Sequence, residues 1–387
     1  MGRVYLDHNA TTPLRVEARH AMGGAMDVVG NPSSVHAEGR AAKMLVERAR
    51  AQVAQLVGCN VQQVVFTSSA TEAAALAVAQ KARHGGVFAA LPTEHDCLEI
   101  WSEAELDSFT NSQGKMSVEG AARFLDWLCE IGPSEEASAL VAMSAANSET
   151  GVLANGGKVV GSGKVHGLRR GTRRYSTICD ITQLAGKMPV IYDEVTPSYA
   201  ILSAHKLGGP KGVGALINFT ADDPEPILRG GGQEMNRRSG TENIIGIAGF
   251  GAAAEAAGRD VAAGRWDEVA QLRSILEKAI ASASDQTIFV GNEAERLPNT
   301  SCMLTPGWKG ETQVMQMDLA GFAISAGSAC SSGKVKASKV LLAMGYNETE
   351  AASAVRVSLG LETTKDEVLR FADAWCRTYR KHQTRAA

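Results

Sequence analysis

No stretch of this 387-residue chain approaches the roughly 18 consecutive apolar residues that a membrane-spanning helix needs. Met1 to Pro13 has no charged leader followed by an apolar run, so no signal peptide is expected. Charge of one sign is not in excess either. Net charge is only −3, which points to neither nucleic acid nor an anionic membrane as partner. The seven cysteines (Cys59, Cys97, Cys129, Cys179, Cys302, Cys330 and Cys376) include no C-x-x-C pair. Their scatter and odd number argue against a disulfide framework and against a zinc site, and fit a reducing cytoplasm. Internal repeats and low-complexity tracts are also missing.

What the chain does have is an ordinary apolar content of 44%, with 21% charged residues, enough for a sizeable core without metals or disulfides. Its length predicts one large and one smaller domain. Short apolar runs without alternation, at Val64–Phe66, Gly86–Ala90, Ala139–Met143, Ser176–Cys179, Tyr199–Leu202 and Val213–Ile217, read as buried strands of a largely parallel sheet. Helical patterns lie between and after them: Ala41–Val57 ending at Gly58, Thr71–Ala82, Glu242–Ala257, Arg265–Ser282, Glu311–Leu319, Ala337–Met344, and a closing helix from Thr364. Strands are further expected at Thr287–Val290, Thr300–Leu304 and Ala354–Ser358, with a loop at Ser325–Gly333. The class is α/β, and the domain change is placed near residue 260. Two segments, Asp96–Glu136 and Leu153–Tyr175, give no clear pattern. The second carries Arg169, Arg170, Arg173 and Arg174, which read as a solvated face or, alternatively, a docking surface for an acidic partner.

Ligands of parallel sheets sit beyond the C-terminal strand ends, and the distinctive polar residues fall there. Lys206 follows the strand ending near Leu202, within Ser203-Ala-His-Lys206. An amine so placed can form a Schiff base with an aldehyde cofactor, although a surface lysine opening the Gly209–Gly212 turn would look the same. Asp180 ends another strand. A carboxylate there can keep the ring nitrogen of pyridoxal phosphate protonated, or simply cap a helix. Gln183 could reach that ring's phenolic oxygen. Thr71, opening a helix, could join Ser203 and His205 around a phosphate, or only cap its helix. His95 could stack on a ring or be structural. Cys330, in Gly327-Ser-Ala-Cys330-Ser-Ser-Gly333 near Lys334 and Lys336, has the polar, mobile surroundings of a reactive thiol. The other cysteines read as small buried hydrophobes. Arg356, in an apolar strand, could hold a substrate carboxylate bidentately or form a structural salt bridge.

These residues together resemble the cysteine desulfurase family, which are fold-type I pyridoxal phosphate enzymes grouped with class V aminotransferases. The resemblance runs through Tyr5-Leu-Asp-His-Asn-Ala-Thr-Thr-Pro13, Gly30-Asn-Pro-Ser-Ser34, Ala70-Thr-Glu72, Glu94-His95 and Glu149-Thr-Gly151. It continues in Ser203-Ala-His-Lys-Leu-Gly-Gly-Pro-Lys-Gly212, Gly230-Gly-Gly-Gln-Glu234, Arg238-Ser-Gly-Thr-Glu-Asn243, Ala326–Gly333 and Arg356-Val-Ser-Leu-Gly360. It implies a seven-stranded, mostly parallel sheet in a large domain spanning 14–260. The smaller α+β domain would comprise 1–13 and 261–387 and carry the cysteine loop. It implies that Lys206 holds the cofactor and moves a proton, Asp180 pairs with the ring nitrogen, and His95 stacks on the ring and joins in proton transfer. Gln183 would meet the phenolic oxygen, and Ala70, Thr71, Ser203 and His205 the phosphate, with Thr241 reaching in from a second subunit. Asn147 and Ser148 would also lie at the cofactor. Arg356, with Asn9 and Asn31, would bind substrate, and Cys330 would take sulfur from L-cysteine as a persulfide, leaving alanine. No metal is implied. The implied partners are a second copy of the chain and a sulfur acceptor such as an iron–sulfur scaffold protein, in the cytoplasm.

Two departures from the family stand out. The family usually has two asparagines before Glu-Thr-Gly, where this chain has Asn147-Ser148. After Thr71-Glu72 it has Ala73-Ala-Ala75 in place of an Asn-containing sequence. A β-cleaving relative of selenocysteine lyase type, or a degenerate relative acting as a binding partner, is the alternative.

Overall fold

A computed structural model describes residues 2–104, 127, 138–167, 171–327 and 337–386. The main sheet holds seven strands: β1 (Val64–Thr67), β2 (Phe88–Ala90), β3 (Ser138–Ser144), β4 (Gly163–Gly167), β5 (Gly171–Asp180), β6 (Tyr199–Ser203) and β7 (Gly214–Asn218). Their order is β1-β7-β6-β5-β3-β2, with β4 paired to β5. β2, β3, β5 and β6 pair in parallel, and β7 is antiparallel to both β6 and β1. Five strands therefore point one way and only β4 and β7 oppose them, which is the mostly parallel sheet the apolar runs predict. The strand that no apolar run marks is β4. β4 and the first half of β5 form an antiparallel hairpin within the basic segment that gave no pattern, and Arg174 there is exposed. Arg169 and Arg170 lie outside the described residues, as do most of 96–136.

The central strands are apolar throughout because both faces are covered. Along β7, Ala215 and Ile217 face one core and Leu216 the other, as the two-residue period of a strand requires. The first core lies under α1 (Val16–Met26), α2 (Ala37–Val57) and the long helix at Ile244–Ala262. The second lies under α3 (Ala70–Val78). Helix α2 stops where expected, at Gly58, whose φ of 73° suits glycine. A Cβ on Gly251 would sit 2.5 Å from Ala49 Cα, so glycine there lets the Ile244–Ala262 helix lie directly on α2.

A second sheet is antiparallel, in the order Ile288–Phe289, Thr300–Leu304, Ala354–Ser358, Ser325–Ala326. It packs with the helices Arg265–Ala281 and Lys365–Ala386 around a core containing Trp308, Phe371 and Trp375. Burying each such side chain stabilises the fold by about 1.5–3 kcal/mol. Ser325–Ala326, expected in a loop, is a short edge strand. Val4–Tyr5 pairs with Phe322–Ala323, so the chain begins against this C-terminal core before crossing to the main sheet through residues 7–13. Among the described residues no helix is long and apolar enough to cross a membrane.

Candidate active site

The strand register gathers the polar residues along one edge of the main sheet. Ser144, Asp180 and Ser203 end β3, β5 and β6. Asp180 lies opposite Ser144 on one side and Ile201 on the other, and Ser203 lies opposite Gly214. Gly214 in turn lies opposite Thr67, just before the N-terminus of α3. A Cβ on Gly214 would come within 2.4 Å of the Ser69 carbonyl carbon, so only glycine allows β7 this close to that helix end. The cap of α3 is Ser69, whose Oγ accepts from Glu72 N at 3.2 Å. Thr71 is therefore not the cap. Its side chain is exposed beside the free N–H groups of the helix's first turn, next to the half-buried Ala70.

Lys206 stands one short turn beyond β6. Its Nζ donates to the main-chain oxygens of Asn9 at 2.7 Å and Ala10 at 2.8 Å. The neighbouring His205 bonds through Nδ1 with Thr11 Oγ1 at 3.1 Å. Burial, with Lys206 and Lys211 nearby, lowers the His205 pKa to about 4, so this imidazole is neutral at pH 7. Asp180 is buried, and its Oδ1 accepts from Thr182 N at 2.8 Å in a turn rather than at a helix start. Gln183, also buried, donates from Nε2 to the Asn9 oxygen at 2.9 Å.

His95 follows β2 and caps a single helical turn, Asp96–Glu99, by accepting from Cys97 N at 3.2 Å. Beside it Glu94 is buried and accepts from both the main-chain N–H and the hydroxyl of Ser144. Burial outweighs those bonds and raises the Glu94 pKa to about 7. Glu149 has its pKa raised to about 7 by the same cause, against an opposing hydrogen bond from Ser338 and the charge of Arg356.

Arg356 reaches this region from the middle of the second sheet. It donates to Asp7 Oδ1 at 2.9 Å and to the Ser148 main-chain oxygen at 3.1 Å. Its Nε is buried and has no partner among the described residues. The salt bridge is thus present, and a further donor remains for an incoming acceptor. The Asn147 side chain is anchored at both ends: Nδ2 donates to Thr93 O at 2.9 Å, and Oδ1 accepts from Glu149 N and Thr150 N. These bonds orient its amide toward Thr93 and its own turn. Asn9 is 1% exposed, and every polar atom it has is bonded inside the protein. Asn31 is exposed in a turn where its Oδ1 accepts from Ser33 N, and Thr241 is exposed just before the helix at Ile244–Ala262. Among the described residues no hydrogen bond ties either to the Lys206 cluster.

Cys330 lies outside the described residues, as does Cys129. Of the other five, Cys97, Cys179, Cys302 and Cys376 are buried and Cys59 is half-buried. Burial raises all five pKa values, those of Cys59 and Cys302 to about 12, which keeps these thiols protonated and inert. Among the described residues no cluster of His, Cys, Asp and Glu could hold a metal ion.

One residue of this region escaped the sequence reading. Lys187 is 3% exposed and donates to Gln183 Oε1 at 2.6 Å and Asn9 Oδ1 at 3.1 Å. The only hint in the sequence is a lysine four residues after Gln183 within the otherwise uncharged stretch Ile181–Val190.

The family model described as "Aminotransferase class-V" matches residues 4–371. A protein of Cereibacter sphaeroides named cysteine desulfurase is 36% identical over 386 residues, covering 96% of this chain and 95% of its own length. A Frankia protein of the same name is 38% identical over 401 residues, covering 97% and 90%. Among solved structures, a NifS-like protein from Rickettsia africae superposes with a TM-score of 0.82 at 29% identity, covering 98% of this chain and 99% of that one.

Proposed function

Since the chain belongs to the class-V aminotransferase family, and within it to the cysteine desulfurases that it matches over nearly its whole length, we propose that it removes sulfur from L-cysteine, leaving L-alanine and a persulfide on Cys330. The observation that carries this reading is the convergence of an amine, Lys206, and a buried carboxylate, Asp180, at the ends of adjacent parallel strands.

The donor set fits pyridoxal phosphate. Lys206 would hold it by its aldehyde, Asp180 would pair with the ring nitrogen, and Gln183 would donate to the ring oxygen. His95 would lie over the ring. Thr71, Ser203 and neutral His205, with the N–H groups that open α3, would hold the phosphate, and Thr241 would complete that site from a second subunit. When bound, the cofactor supplies an electron sink that stabilises negative charge at the substrate's Cα.

The chain's own residues do the rest. Lys206 Nζ exchanges its two carbonyl partners for the substrate's Cα proton, which it takes and later returns. Arg356 holds the substrate carboxylate through its unpaired Nε and the end nearest Ser148. The Cys330 thiolate attacks the substrate sulfur. An S–S bond forms, the Cβ–S bond breaks with its electron pair passing to Cβ, and Cβ takes a proton. The inertness of the five described thiols supports Cys330 in this role.

The persulfide sulfur passes to an acceptor such as an iron–sulfur scaffold protein, and the working unit is a homodimer in the cytoplasm. We assign residues 14–260 to the large domain and 1–13 with 261–387 to the small one. The two cores, divided near residue 260 except that Leu297 packs in the first, with Val4 and Leu6 in the second, support that division.

The test is to supply purified protein with pyridoxal phosphate, L-cysteine and a thiol reductant, and to quantify alanine and sulfide beside Cys330→Ala and Lys206→Ala. Equal alanine and sulfide, lost in both variants, is the expected result. Bound cofactor without alanine would refute it, and alanine that survives Cys330→Ala would remove Cys330 from the reaction.

A further inference from the structure

Lys187 sits behind the cofactor site with no carboxylate paired to it among the described residues. Its two acceptors are both amide oxygens, Gln183 Oε1 at 2.6 Å and Asn9 Oδ1 at 3.1 Å. An amide can face either way, and what decides its direction is the hydrogen-bonding character of its neighbours. An amine pointed at two amides can only donate to them, so it forces the oxygen of each toward itself. For Gln183 this turns Nε2 outward, where it donates to the Asn9 main-chain oxygen at 2.9 Å. For Asn9 it turns Nδ2 toward Ser148 O at 3.3 Å and Thr300 Oγ1 at 2.9 Å. The same Asn9 main-chain oxygen is where Lys206 rests.

We propose that Lys187 is a positioning residue: by donating to Gln183 Oε1 and Asn9 Oδ1 it fixes both amides, so that Gln183 presents a donor to the ring oxygen of pyridoxal phosphate. The inference rests on the cofactor reading above. Burial, with the charges of Lys206 and Arg356, holds the Lys187 pKa well below the ordinary lysine value. A buried lysine kept only for packing would be replaceable by methionine with no consequence for the cofactor. A lysine that orients Gln183 is not. Without it the Gln183 amide is free to turn its oxygen toward the ring oxygen, a repulsive contact.

The test uses the full chain and pyridoxal phosphate itself, with cofactor affinity and the pH titration of the bound cofactor's absorbance as readouts. Losing one donor to the ring oxygen makes that oxygen more basic and lets the bound chromophore keep its proton to higher pH. Lys187→Met is expected to weaken cofactor binding about 5- to 10-fold and to raise the chromophore's titration midpoint by about 0.5–1 pH unit, the size of one hydrogen bond. Gln183→Leu should give a similar shift, and adding Lys187→Met to it should give little more, because one residue acts through the other. Should Lys187→Met fold poorly, Lys187→Gln, which keeps an uncharged donor, is read in the same way and is expected to shift less. Unchanged affinity and midpoint in Lys187→Met, or shifts that add in full in the double variant, would overturn the proposal. A wild-type chain that takes up no cofactor would instead refute the reading on which it rests.

Discussion

Lys206 Nζ rests 2.7 Å from the main-chain oxygen of Asn9, a residue within the chain's passage from the C-terminal core to the main sheet. Both carbonyls that hold the amine, those of Asn9 and Ala10, are neutral acceptors.

Lys206→Ala should abolish covalent capture of pyridoxal phosphate and slow alanine formation by about 10²- to 10⁴-fold, the usual worth of a positioned proton-transfer group. Borohydride reduction followed by mass spectrometry checks the first part. The wild-type chain should gain the mass of one reduced cofactor and the variant should not.

Ser148 contributes its main-chain oxygen to both Arg356 and Asn9, so the backbone there is fixed whatever the side chain. Ser148→Asn should therefore restore an amide at the carboxylate site without disturbing the fold. The expected outcome is a KM for L-cysteine lower by about 2- to 10-fold with kcat little changed, as one added hydrogen bond would give. Arg356→Lys should do the reverse, because a point charge cannot make the guanidinium's directional contacts. Steady-state kinetics on the two variants decides this, and an unchanged KM in Ser148→Asn would mean that position 148 does not reach the substrate.

Glu234, Met235 and Asn236 form a run of three residues with φ of 49°, 58° and 66°, a conformation that L-residues rarely adopt in succession. A buried clamp holds it. Arg50 donates from NH1 and NH2 to the two Glu234 oxygens at 2.7 and 2.8 Å, and Phe66 N donates to the same carboxylate at 2.9 Å. Next to the run, Arg238 pairs with Glu72 in the first turn of α3 at 2.8 Å. Removing Glu234 leaves the buried Arg50 with only the exposed Glu47, 3.3 Å away, as its ion partner, so Glu234→Ala should lower stability by about 3 kcal/mol. Chemical denaturation of the cofactor-free protein measures this. Uptake of pyridoxal phosphate should fall as well, since the turn leads into the loop that carries Thr241.

What the sequence disclosed followed burial. Tyr199–Leu202 and Thr300–Leu304 read as strands because both faces of each are covered, and an uninterrupted apolar run has few other uses. The β4–β5 hairpin was hidden for the opposite reason: its sequence is rich in glycine and basic residues with few apolar ones, and nothing in that pattern separates it from a solvated loop. At the N-terminus of α3 the sequence suggests Thr71 as a cap, and the structure gives that place to Ser69. The backbone decides, because Ser69 is extended, with φ −172° and ψ 168°, while Thr71 is already helical. Lys206 and Asp180 could be read because each follows a strand. Lys187 could not, since a lysine is ordinarily exposed. Its burial arises only when Asn9, 178 positions away in the chain, closes over it.

Glu94 provides a pH test whose sign can be worked out. Its folded pKa is raised to about 7 by burial, whereas an unfolded glutamate titrates near 4.3. The folded state therefore binds the extra proton, and the stability this contributes is fully present below the unfolded value and lost as pH rises through the folded one. Glu94→Gln removes the titration and keeps the shape. The glutamine oxygen can accept from Ser144 N, and its amide can donate to the Ser144 hydroxyl, the two groups that now donate to the carboxylate. The variant should therefore gain on the wild type between pH 5 and pH 8, by about 2–3 kcal/mol. His8 and His205, both lowered to about 4 by burial, titrate in the opposite sense, but they are common to both proteins and cancel in the difference. Urea unfolding of the two cofactor-free proteins at the two pH values measures the effect. A difference that does not change with pH would mean that Glu94 stays ionised beside Asp180 throughout.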